Sequence, residues 1–396
     1  MIEHHALNSP LVDLPHGQPR DGGSDHAIGA HGDRRSQGGP ATDPDVNDRD
    51  VVCILGLPFD AITLPDAVQR VRDAISARRP LFLSTPNLNF LIGCQYDAAF
   101  RASIIASDLS VADGMPLVWI SRLLGTPLPE RVTGSGLFER LRNDPLPPGC
   151  PPIRVYFFGG PEGAAEAAAR RLNAESTAMV CVGYESPGFG SVENMSGEDA
   201  LDRINASGAD FLVVALGAAK GQAWIQRNRD RLKVPVISHL GAVVNFEAGT
   251  VSRAPAWVQR SGLEWLWRIK EEPALAKRYA RDAGALLGLL AGKVLPHMLW
   301  LQLNRPASGI APDPEAIRAA FHESIDVAGP VRLNLSQVDA FGPKFAGRLL
   351  RIQQVLAAAN MQLRLVGLSP RTRWLLRRNG LETLLERDEP LPAHTV

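Results

Sequence analysis

The sequence lacks an excess of charge of either sign. Its 396 residues include 42 lysines and arginines and 42 aspartates and glutamates, so the formal net charge at pH 7 is zero. Proteins that bind nucleic acid through its phosphates usually carry a net positive charge, so this balance predicts no nucleic-acid partner. Any electropositive binding site has to be a local cluster. The length itself indicates two or three domains.

Cysteine is also scarce, and no secretory signal is apparent. The four cysteines are Cys53, Cys94, Cys150 and Cys181, and no pair of them has the C-x-x-C spacing of a zinc or redox motif. Several lie in apolar runs, which is typical of reduced core residues in a cytosolic protein. The N-terminus has no apolar segment of the kind that a signal peptide requires. We therefore expect a cytoplasmic protein.

The first 50 residues differ from the rest of the chain. Gly, Pro, Asp and His dominate residues 1–50, and apolar residues follow no periodic pattern there. Such a segment buries too little apolar surface to fold, so we expect a disordered leader.

From residue 51 onward, short apolar runs alternate with helical patterns. The runs are VVCIL (51–55), LFLS (81–84), LSVA (109–112), VYFFGG (155–160), MVCVG (179–183), FLVVALG (211–217) and VPVIS (234–238). Continuous apolar runs between helices are typical of strands buried on both faces. Residues 51–250 are therefore predicted to form an α/β domain, with a Rossmann-like parallel sheet and flanking helices. Thr63 and Pro65 predict the start of its first helix, over about 64–79. No G-x-G-x-x-G follows the first run, which argues against a dinucleotide-binding dehydrogenase.

Polar residues and glycines stand where several of these strands end. Thr85 and Asn87 follow one run, and Asp113 follows the next. Gly159-Gly160 and Gly217 end two others. Ligands of open α/β sheets bind outside the carboxyl ends of the strands, so these residues predict a binding site. Thr85, Asn87 and Asp113 could each equally be only a helix cap or a turn former. Their convergence on one sheet edge favours the site.

The composition changes again near residue 251. Tryptophans alternate with arginines and lysines over 252–281. Aromatic rings beside cations suit a phosphate-bearing lipid or a membrane interface, and a solvated helical face with buried tryptophans is the alternative. The apolar residues 283–303 are interrupted by Lys293 and Pro296, so we expect a poor membrane span and a helix to about residue 295. Residues 251–297 are thus predicted to form a helical C-terminal appendage.

The last segment, 298–396, is predicted to form a small α/β domain. A strand LWLQL (299–303) is expected to open it. The strands VRLNLS (331–336) and QLRLVG (362–367) then alternate with helices predicted over 314–325, 344–360 and 370–380.

Several stretches of the middle region resemble a known enzyme family. The longest are ADGMPLVWISRLLGTPLPERVTGSGLF (112–138) and GTVSRAPAWVQRSGLEWLWRIKEEPALAKRY (249–279), and TPNLNFL, FFGGPEG and ALGAAKGQAWIQRNRDRL support them. On these motifs, residues 51–281 resemble the WecG/TagA/CpsF glycosyltransferases, also called glycosyltransferase family 26.

The resemblance implies transfer of a sugar from a UDP-sugar, with inversion at the anomeric carbon, to a lipid-pyrophosphate-linked saccharide. Members of that family use N-acetylmannosamine, its uronate, glucose or related sugars and supply cell-surface polysaccharides. They work at the cytoplasmic face of the membrane, so peripheral association with the inner membrane is expected. The resemblance implies no cofactor and no metal. The chain's own D-x-D triplets, 43–45 and 48–50, lie in the leader, which agrees with a metal-independent site.

The resemblance also implies residue roles. Asp113 of ADGMP matches the proposed general base, Thr85 and Asn87 match the TPN motif, and Arg131 of ERVTG matches an arginine proposed to contact substrate. Substrate binding is expected of Gly159, Gly160, Gly217, Lys220 and Gln222. Contact with the lipid acceptor or the membrane is expected of Arg253, Arg260, Trp265, Arg268, Arg278 and Arg281.

One loop departs from the pattern of that family. Where the family usually shows GxPkQE, this chain has GAAKGQ (217–222), with Ala219, Gly221 and Gln222 at the altered positions. Asn245 likewise stands where the family often has Asp. These changes leave the donor sugar open. They also leave an alternative function open, that of an inactive UDP-sugar-binding protein that signals through its C-terminal domain.

The C-terminal segment resembles a STAS domain, the fold of anti-sigma-factor antagonists. Its strand–helix rhythm and its GLSP turn carry the resemblance over about 90 residues. The usual phosphorylatable serine is replaced by Gly342-Pro343. The resemblance implies a module that docks a protein partner or a second copy of the chain, without phosphorylation control at that position.

Overall fold

The structure is a computed structural model. It describes residues 11–12, 49–255, 257–258, 264–273, 275–304, 330–336, 338 and 341–385. These residues form two compact units, one over Asp50–Gln302 and one from the described residues before 50 and after 302. Strands are numbered along the chain, and β1 (Leu11–Val12) belongs to the second unit.

A six-stranded parallel sheet forms the centre of the larger unit. Its strands are β4 (Leu81–Ser84), β5 (Leu109–Ser110), β6 (Ile153–Gly159), β7 (Met179–Glu185), β8 (Phe211–Ala215) and β9 (Val236–His239). Their order across the sheet is β5-β4-β9-β8-β6-β7, and every neighbouring pair is parallel. The predicted Rossmann-like α/β fold is confirmed.

Helices cover both faces of this sheet. They are α1 (Leu64–Ser76), α2 (Leu88–Gly93), α3 (Ala98–Ile105), α4 (Met115–Leu123), α5 (Gly134–Asn143), α6 (Ala164–Glu175), α7 (Glu198–Ala206), α8 (Ala218–Asn228) and α9 (Gly241–Glu247), with short 3-10 turns at Asn194–Ser196 and Arg229–Arg231. Thr63 caps α1 as predicted, with its side chain accepting from the Asp66 amide.

Alternate side chains of the central strands enter two separate cores. Phe157 packs against Phe138 on one face, with ring centroids 6.2 Å apart. Phe158 stacks on Trp224 on the other face, at 4.6 Å. A strand with apolar contacts on both faces needs a continuous apolar sequence, which explains the pattern from which the sheet was predicted.

The first apolar run, VVCIL, is not part of that sheet, so this element of the prediction is wrong. Strand β2 (Val51–Ile54) instead forms an antiparallel hairpin with β3 (Leu57–Asp60). The two residues between them, Leu55 and Gly56, both have positive φ, at 48° and 89°. Two consecutive left-handed residues give a tight turn that reverses the chain.

A helical segment ends the larger unit. It contains α10 (Glu264–Glu271), α11 (Leu275–Leu289), a π-helical turn (Leu290–Val294) and α12 (Leu295–Asn304). The strand predicted at 299–303 is wrong, because these residues lie within α12. That helix contains no β-branched residue, and its leucines and methionine favour helix.

The helix over Leu275–Leu303 is, by length and composition alone, a candidate membrane span, and little of it is buried within the protein. A single such helix is weak evidence for a span. One side of it packs through Leu286, Leu289, Leu290 and Val294 against the core that the hairpin forms with α2, α3 and α4.

The second unit holds a small parallel sheet in the order β1-β10-β11. Strands β10 (Val331–Asn334) and β11 (Leu363–Val366) match the prediction, as do α13 (Pro343–Ala358) and α14 (Pro370–Arg378), and α15 (Glu382–Leu385) follows. The prediction of a wholly disordered leader is wrong at β1, where Leu11 and Val12 add a strand to β10. The other residues of 1–48 lie outside the described part of the chain, as does the helix predicted over 314–325.

Candidate active site

The loops after β4 and β5 meet at the carboxyl edge of the sheet. Thr85, directly after β4, is 6% exposed, and Asp113 follows β5. The Asp113 amide donates to the Pro86 carbonyl at 2.9 Å, which ties the two loops together. Asn87 caps α2, and its Oδ1 accepts from the amides of Asn89 and Phe90 at 3.0 and 3.3 Å. The cap interpretation of Asn87 is therefore confirmed, and it lies at the predicted site as well.

The start of α5 completes this corner. The Gly134 amide donates to Asp113 Oδ2 at 3.2 Å. A Cβ at Gly134 would lie 3.0 Å from Thr85 Oγ1 and 2.5 Å from Leu240 Cδ2, so a larger residue there would require these side chains to shift. The sequence separates Thr85, Asp113 and Gly134, and the fold brings them into contact at the amino end of a helix.

The Asp113 carboxyl has a raised pKa. Removal from solvent is the largest effect and raises its pKa to about 6. The hydrogen bond from the Gly134 amide acts in the opposite direction and lowers the pKa. The negative charge of Glu264 raises the pKa further, and Arg131 and Arg268 lower it. A carboxylate with such a pKa is mostly ionised at pH 7 and is a stronger base than an exposed aspartate.

Arg131 lies beside Asp113 but is paired with the helical appendage. Its Nη1 is 3.1 Å from Glu264 Oε2, and the two side chains are only 16% and 18% exposed. Glu264 was not predicted as a site residue. It lies in the matching stretch GLEWLWR, but only the fold shows that α10 reaches the edge at which Arg131 and Asp113 lie.

The predicted glycines occupy turns at the same edge of the sheet. Gly159 and Gly160 end β6 with φ of 102° and 91°, and a Cβ at Gly159 would lie 2.7 Å from the Ala215 carbonyl oxygen. Gly217 precedes α8 with φ of 83°. A Cβ built at Gly217 would meet no atom of the described chain within 4 Å, so the amino end of α8 is open to a ligand.

The altered loop, 217–222, divides into an exposed part and a buried part. Lys220 is exposed, and its Nζ donates to the Gly190 carbonyl at 2.8 Å. Gln222 is fully buried, and its amide lies 3.1 Å from Ser84 Oγ, which in turn lies 2.6 Å from Ser107 Oγ. Gln222 therefore joins α8 to β4, immediately before Thr85, rather than facing solvent.

The predicted cations of the appendage are spread over its surface. Arg253 and Arg268 lie over the Phe246 ring at 5.6 and 5.8 Å. Arg253 also pairs with Glu139 and donates to Ser135 Oγ at 3.3 Å, in the first turn of α5. It lines a polar cavity of about 360 Å³ beside Arg142 and Glu247.

The other predicted residues of the appendage lie further along the helices. Trp265 is 43% exposed, with its ring 6.2 Å from that of Tyr279. Arg278 lies 5.1 Å from the Tyr279 ring, and Arg281 is exposed. Arg260 lies outside the described residues. Arg253 and Arg268 thus lie near the start of α5 and Asp113, whereas Trp265, Arg278 and Arg281 lie further along the helices.

Two further observations bear on the site. His239, at the end of β9, is a buried residue that the sequence patterns did not single out. Among the described residues, no group of three or more His, Cys, Asp or Glu side chains is arranged to hold a metal ion.

Fold and site together define a Rossmann-like α/β protein with a carboxyl, that of Asp113, at the carboxyl edge of its sheet. The model of the glycosyl transferase WecG/TagA/CpsF family matches residues 52–298, and the chain belongs to that family. It is a glycosyltransferase. One relative is the N-acetylglucosaminyldiphosphoundecaprenol N-acetyl-beta-D-mannosaminyltransferase of Bacillus spizizenii, which is 27% identical over 197 residues. The aligned region covers 50% of this chain and 74% of that relative.

Proposed function

We propose that the protein transfers a sugar from a UDP-sugar to a prenyl-pyrophosphate-linked saccharide, with inversion at the anomeric carbon and Asp113 as the general base. The observation that carries this proposal is the Asp113 carboxyl, with its raised pKa, held by Gly134 beside Thr85 at the edge where ligands of such sheets bind. The membership of the family agrees with it.

The proposed reaction is a single displacement. The Asp113 carboxylate accepts the proton of the acceptor hydroxyl while the hydroxyl oxygen bonds to the anomeric carbon of the donor. The bond from that carbon to the diphosphate oxygen breaks on the opposite face, and its electron pair leaves with UDP. The proton on Asp113 then passes to solvent. A carboxylate within hydrogen-bond reach of the acceptor contributes through this proton transfer.

The departing diphosphate needs positive charge. The open amino end of α8, at Gly217, offers unpaired backbone amides and the positive end of a helix dipole. Lys220 lies in its first turn. Arg131, which pairs with Glu264, supplies a further cation near Asp113 when a substrate phosphate displaces Glu264 from its guanidinium. These groups bind and stabilise the diphosphate in the proposed mechanism.

The name of the Bacillus spizizenii relative guides the choice of substrates. It describes a transfer of N-acetylmannosamine to N-acetylglucosaminyl-diphosphoundecaprenol. We propose an acceptor of the same class for this chain, a lipid diphosphate bearing a sugar. We propose an N-acetylhexosamine or a related sugar as the donor group.

The lipid acceptor places the enzyme at a membrane, and we propose peripheral association with the inner membrane through the appendage. Its helices expose Trp265, Leu287, Leu295 and Leu299 beside arginines and lysines. Apolar side chains flanked by cations suit the surface of an anionic bilayer.

For the second unit we propose a STAS-like docking role. Its small parallel sheet and the three helices found among its described residues support an independently folded module. Gly342 and Pro343 start α13, so no hydroxyl is present there for phosphorylation. The proposed partner is another protein of polysaccharide synthesis or a second copy of the chain.

A donor screen tests the catalytic proposal. Purified protein is incubated with single UDP-sugars and a synthetic prenyl-diphosphoryl-N-acetylglucosamine, and UDP release is measured together with the elongated lipid product. Turnover that depends on both substrates supports the proposal. If a UDP-sugar binds but none of the donors is transferred to any lipid-linked acceptor, the inactive regulatory alternative replaces it.

A further inference from the structure

The second unit contains a strongly basic stretch within a chain of zero net charge. Residues 330–385, which include β10, β11, α13 and α14, hold nine lysines and arginines but only two acidic residues, Asp339 and Glu382. The formal net charge of this stretch is therefore +7. A local excess of this size gives the surface a positive potential and favours an anionic partner.

Helix α14 places four of these charges around one aromatic ring. Its buried side is formed by Thr372, Leu375 and Leu376. The rest of its surface carries Arg371, Arg373, Arg377 and Arg378. Because successive helical residues are about 100° apart, Trp374 lies opposite the buried side, with two arginines on each flank. The Arg378 guanidinium lies 5.1 Å from the centroid of the Trp374 ring. The outward side of α14 is thus an indole among arginines.

Helix α13 carries a second group of cations. Lys344, Arg348 and Arg351 follow one another at spacings of four and three residues, so they form one row along the helix. Lys344 and Arg348 are exposed, and Arg351 is half-buried. The opposite side of α13 is buried in the core through Phe345, Leu349 and Leu356, among others. The row therefore faces away from the core of the second unit.

The chemistry of these two helices favours lipid headgroups over a protein as the partner. The core of a protein–protein interface is usually poor in charge, whereas the outward sides of α13 and α14 are rich in it. Clusters of lysines and arginines bind the phosphates of anionic lipids. Tryptophan is enriched at the interface between membrane and water, so Trp374 among its arginines suits the headgroup layer.

The position of the second unit in the chain agrees with this choice. The boundary between the units falls between residues 302 and 303, within α12. Leu299 and Leu303 of this helix are 53% and 85% exposed. A unit that continues from a helix bound to a bilayer stays close to the headgroups, so that even weak electrostatic contacts add to the binding.

We propose that the outward sides of α13 and α14 form a basic surface that binds the headgroups of an anionic bilayer. This basic surface goes beyond the transfer reaction and beyond a protein-docking role of the second unit. Its assignment to a bilayer rests on the proposed function, because the proposed lipid acceptor places the enzyme at a membrane. Stable peripheral binding generally takes two contacts, and the basic surface would be the second beside the apolar appendage.

A charge series in the full-length protein tests the proposal by sedimentation with phosphatidylcholine vesicles that contain or lack phosphatidylglycerol. Each cation at an anionic surface strengthens binding about fivefold. The pair Arg348→Gln/Arg377→Gln should therefore weaken binding to the anionic vesicles about tenfold or more, and adding Lys344→Gln/Arg371→Gln should weaken it more than about a hundredfold. Binding to the neutral vesicles should not change, and added salt should reduce the difference between the variants.

The matched control removes four exposed cations from the larger unit, in the variant Arg79→Gln/Arg140→Gln/Arg170→Gln/Arg227→Gln. It has the same net charge as the quadruple variant of the second unit and should bind anionic vesicles nearly as well as the unmodified protein. The midpoints of thermal unfolding show that each variant is folded. An equal loss of binding in the control overturns the proposal, because net charge rather than the basic surface would then explain the binding.

The vesicle assay also keeps this inference distinct from the proposed reaction. If no donor sugar is transferred but the charge series weakens binding as expected, the basic surface stands and the transferase proposal falls. Unchanged binding to anionic vesicles by both the pair and the quadruple variant overturns the basic surface as a lipid contact, leaves the transferase intact, and makes an acidic protein the better partner for α13 and α14.

Discussion

Ionisation of Asp113 lowers the stability of the folded protein, because the pKa of its carboxyl is about 6 in the folded state, above the ordinary value of 3.8. Its contribution to folding is fully present below pH 3.8 and is lost as the pH rises through about 6. A difference of two pKa units corresponds to about 3 kcal/mol at most. Such a cost is typical of a group placed for chemistry rather than for stability.

The substitution Asp113→Asn tests both consequences. Turnover should fall by about 10²-fold or more, the usual effect of a lost general base. The variant should unfold at a higher temperature than the unmodified protein at pH 8, and at nearly the same temperature at pH 4, because asparagine carries no charge. Asp97→Asn, at the cap of α3, serves as the control and should keep its turnover. Turnover of Asp113→Asn within about threefold of the unmodified protein would contradict the role of Asp113.

Glu264 should tune the pH dependence of the reaction. The acidic limb of kcat/KM should report the Asp113 carboxyl, with a pKa of about 6 and loss of activity as the pH falls. The charge of Glu264 raises that pKa, so Glu264→Gln should move the limb to lower pH. The same substitution releases Arg131, which acts in the same direction. A limb that stays in place or moves to higher pH would disprove the coupling.

Among the individual residues, those adjacent to strand ends were predictable, and those defined by distant contacts were not. Thr85 and Asp113 follow apolar runs, so a local pattern marks them. Gln222 is held by a hydrogen bond to Ser84, which lies 138 positions earlier in the sequence. No local sequence pattern distinguishes such a glutamine from one that binds a ligand. Glu264 reaches Arg131 only through the folding of α10.

At the level of elements, the continuous apolar runs predicted the parallel sheet, because a strand that is buried on both faces requires apolar residues at every position. The hairpin at 51–60 was missed, since its strands are equally apolar and the turn depends on a leucine with positive φ. Residues 299–303 of α12 were predicted as a strand because a short apolar run has no distinct period.

The exposed leucines of the appendage give a prediction at this scale. Leu287, Leu295 and Leu299 are 67%, 41% and 53% exposed, whereas the leucines on the other side of the helix pack against the core that includes the hairpin. Replacing all three with glutamine keeps helix propensity and should weaken binding to anionic liposomes more than about tenfold, because each buried leucine contributes about 1.5–3 kcal/mol.

The control for this triple variant is Phe189→Gln, a fully exposed side chain in the loop after β7, which should bind liposomes normally. Turnover with a short, water-soluble acceptor should be retained by the triple variant, while turnover with a long prenyl acceptor in vesicles should fall. Liposome binding equal to that of the unmodified protein would remove the appendage as the membrane contact.

At the scale of the whole molecule, the net charge is zero, but the arginines are distributed unevenly over the structure. Acidic and basic residues are equal in number overall, yet arginines cluster on the appendage and beside Asp113. The predicted site residues are also confined to the larger unit, because every one of them that the structure describes lies between 50 and 302. Composition could exclude a globally basic protein, but only the fold shows where the cations gather.

This separation predicts that catalysis survives removal of the second unit. Residues 50–304, which keep the whole of α12, should fold and turn over substrate within about threefold of the full chain, because a compact unit with its own core folds independently. Circular dichroism and thermal unfolding establish folding, and the donor assay measures turnover. A sizing experiment on the two forms then reports self-association, which should be lost with the second unit if a second copy is the partner. If the shortened protein is folded but inactive, the second unit is part of the catalytic machinery and the docking role is wrong.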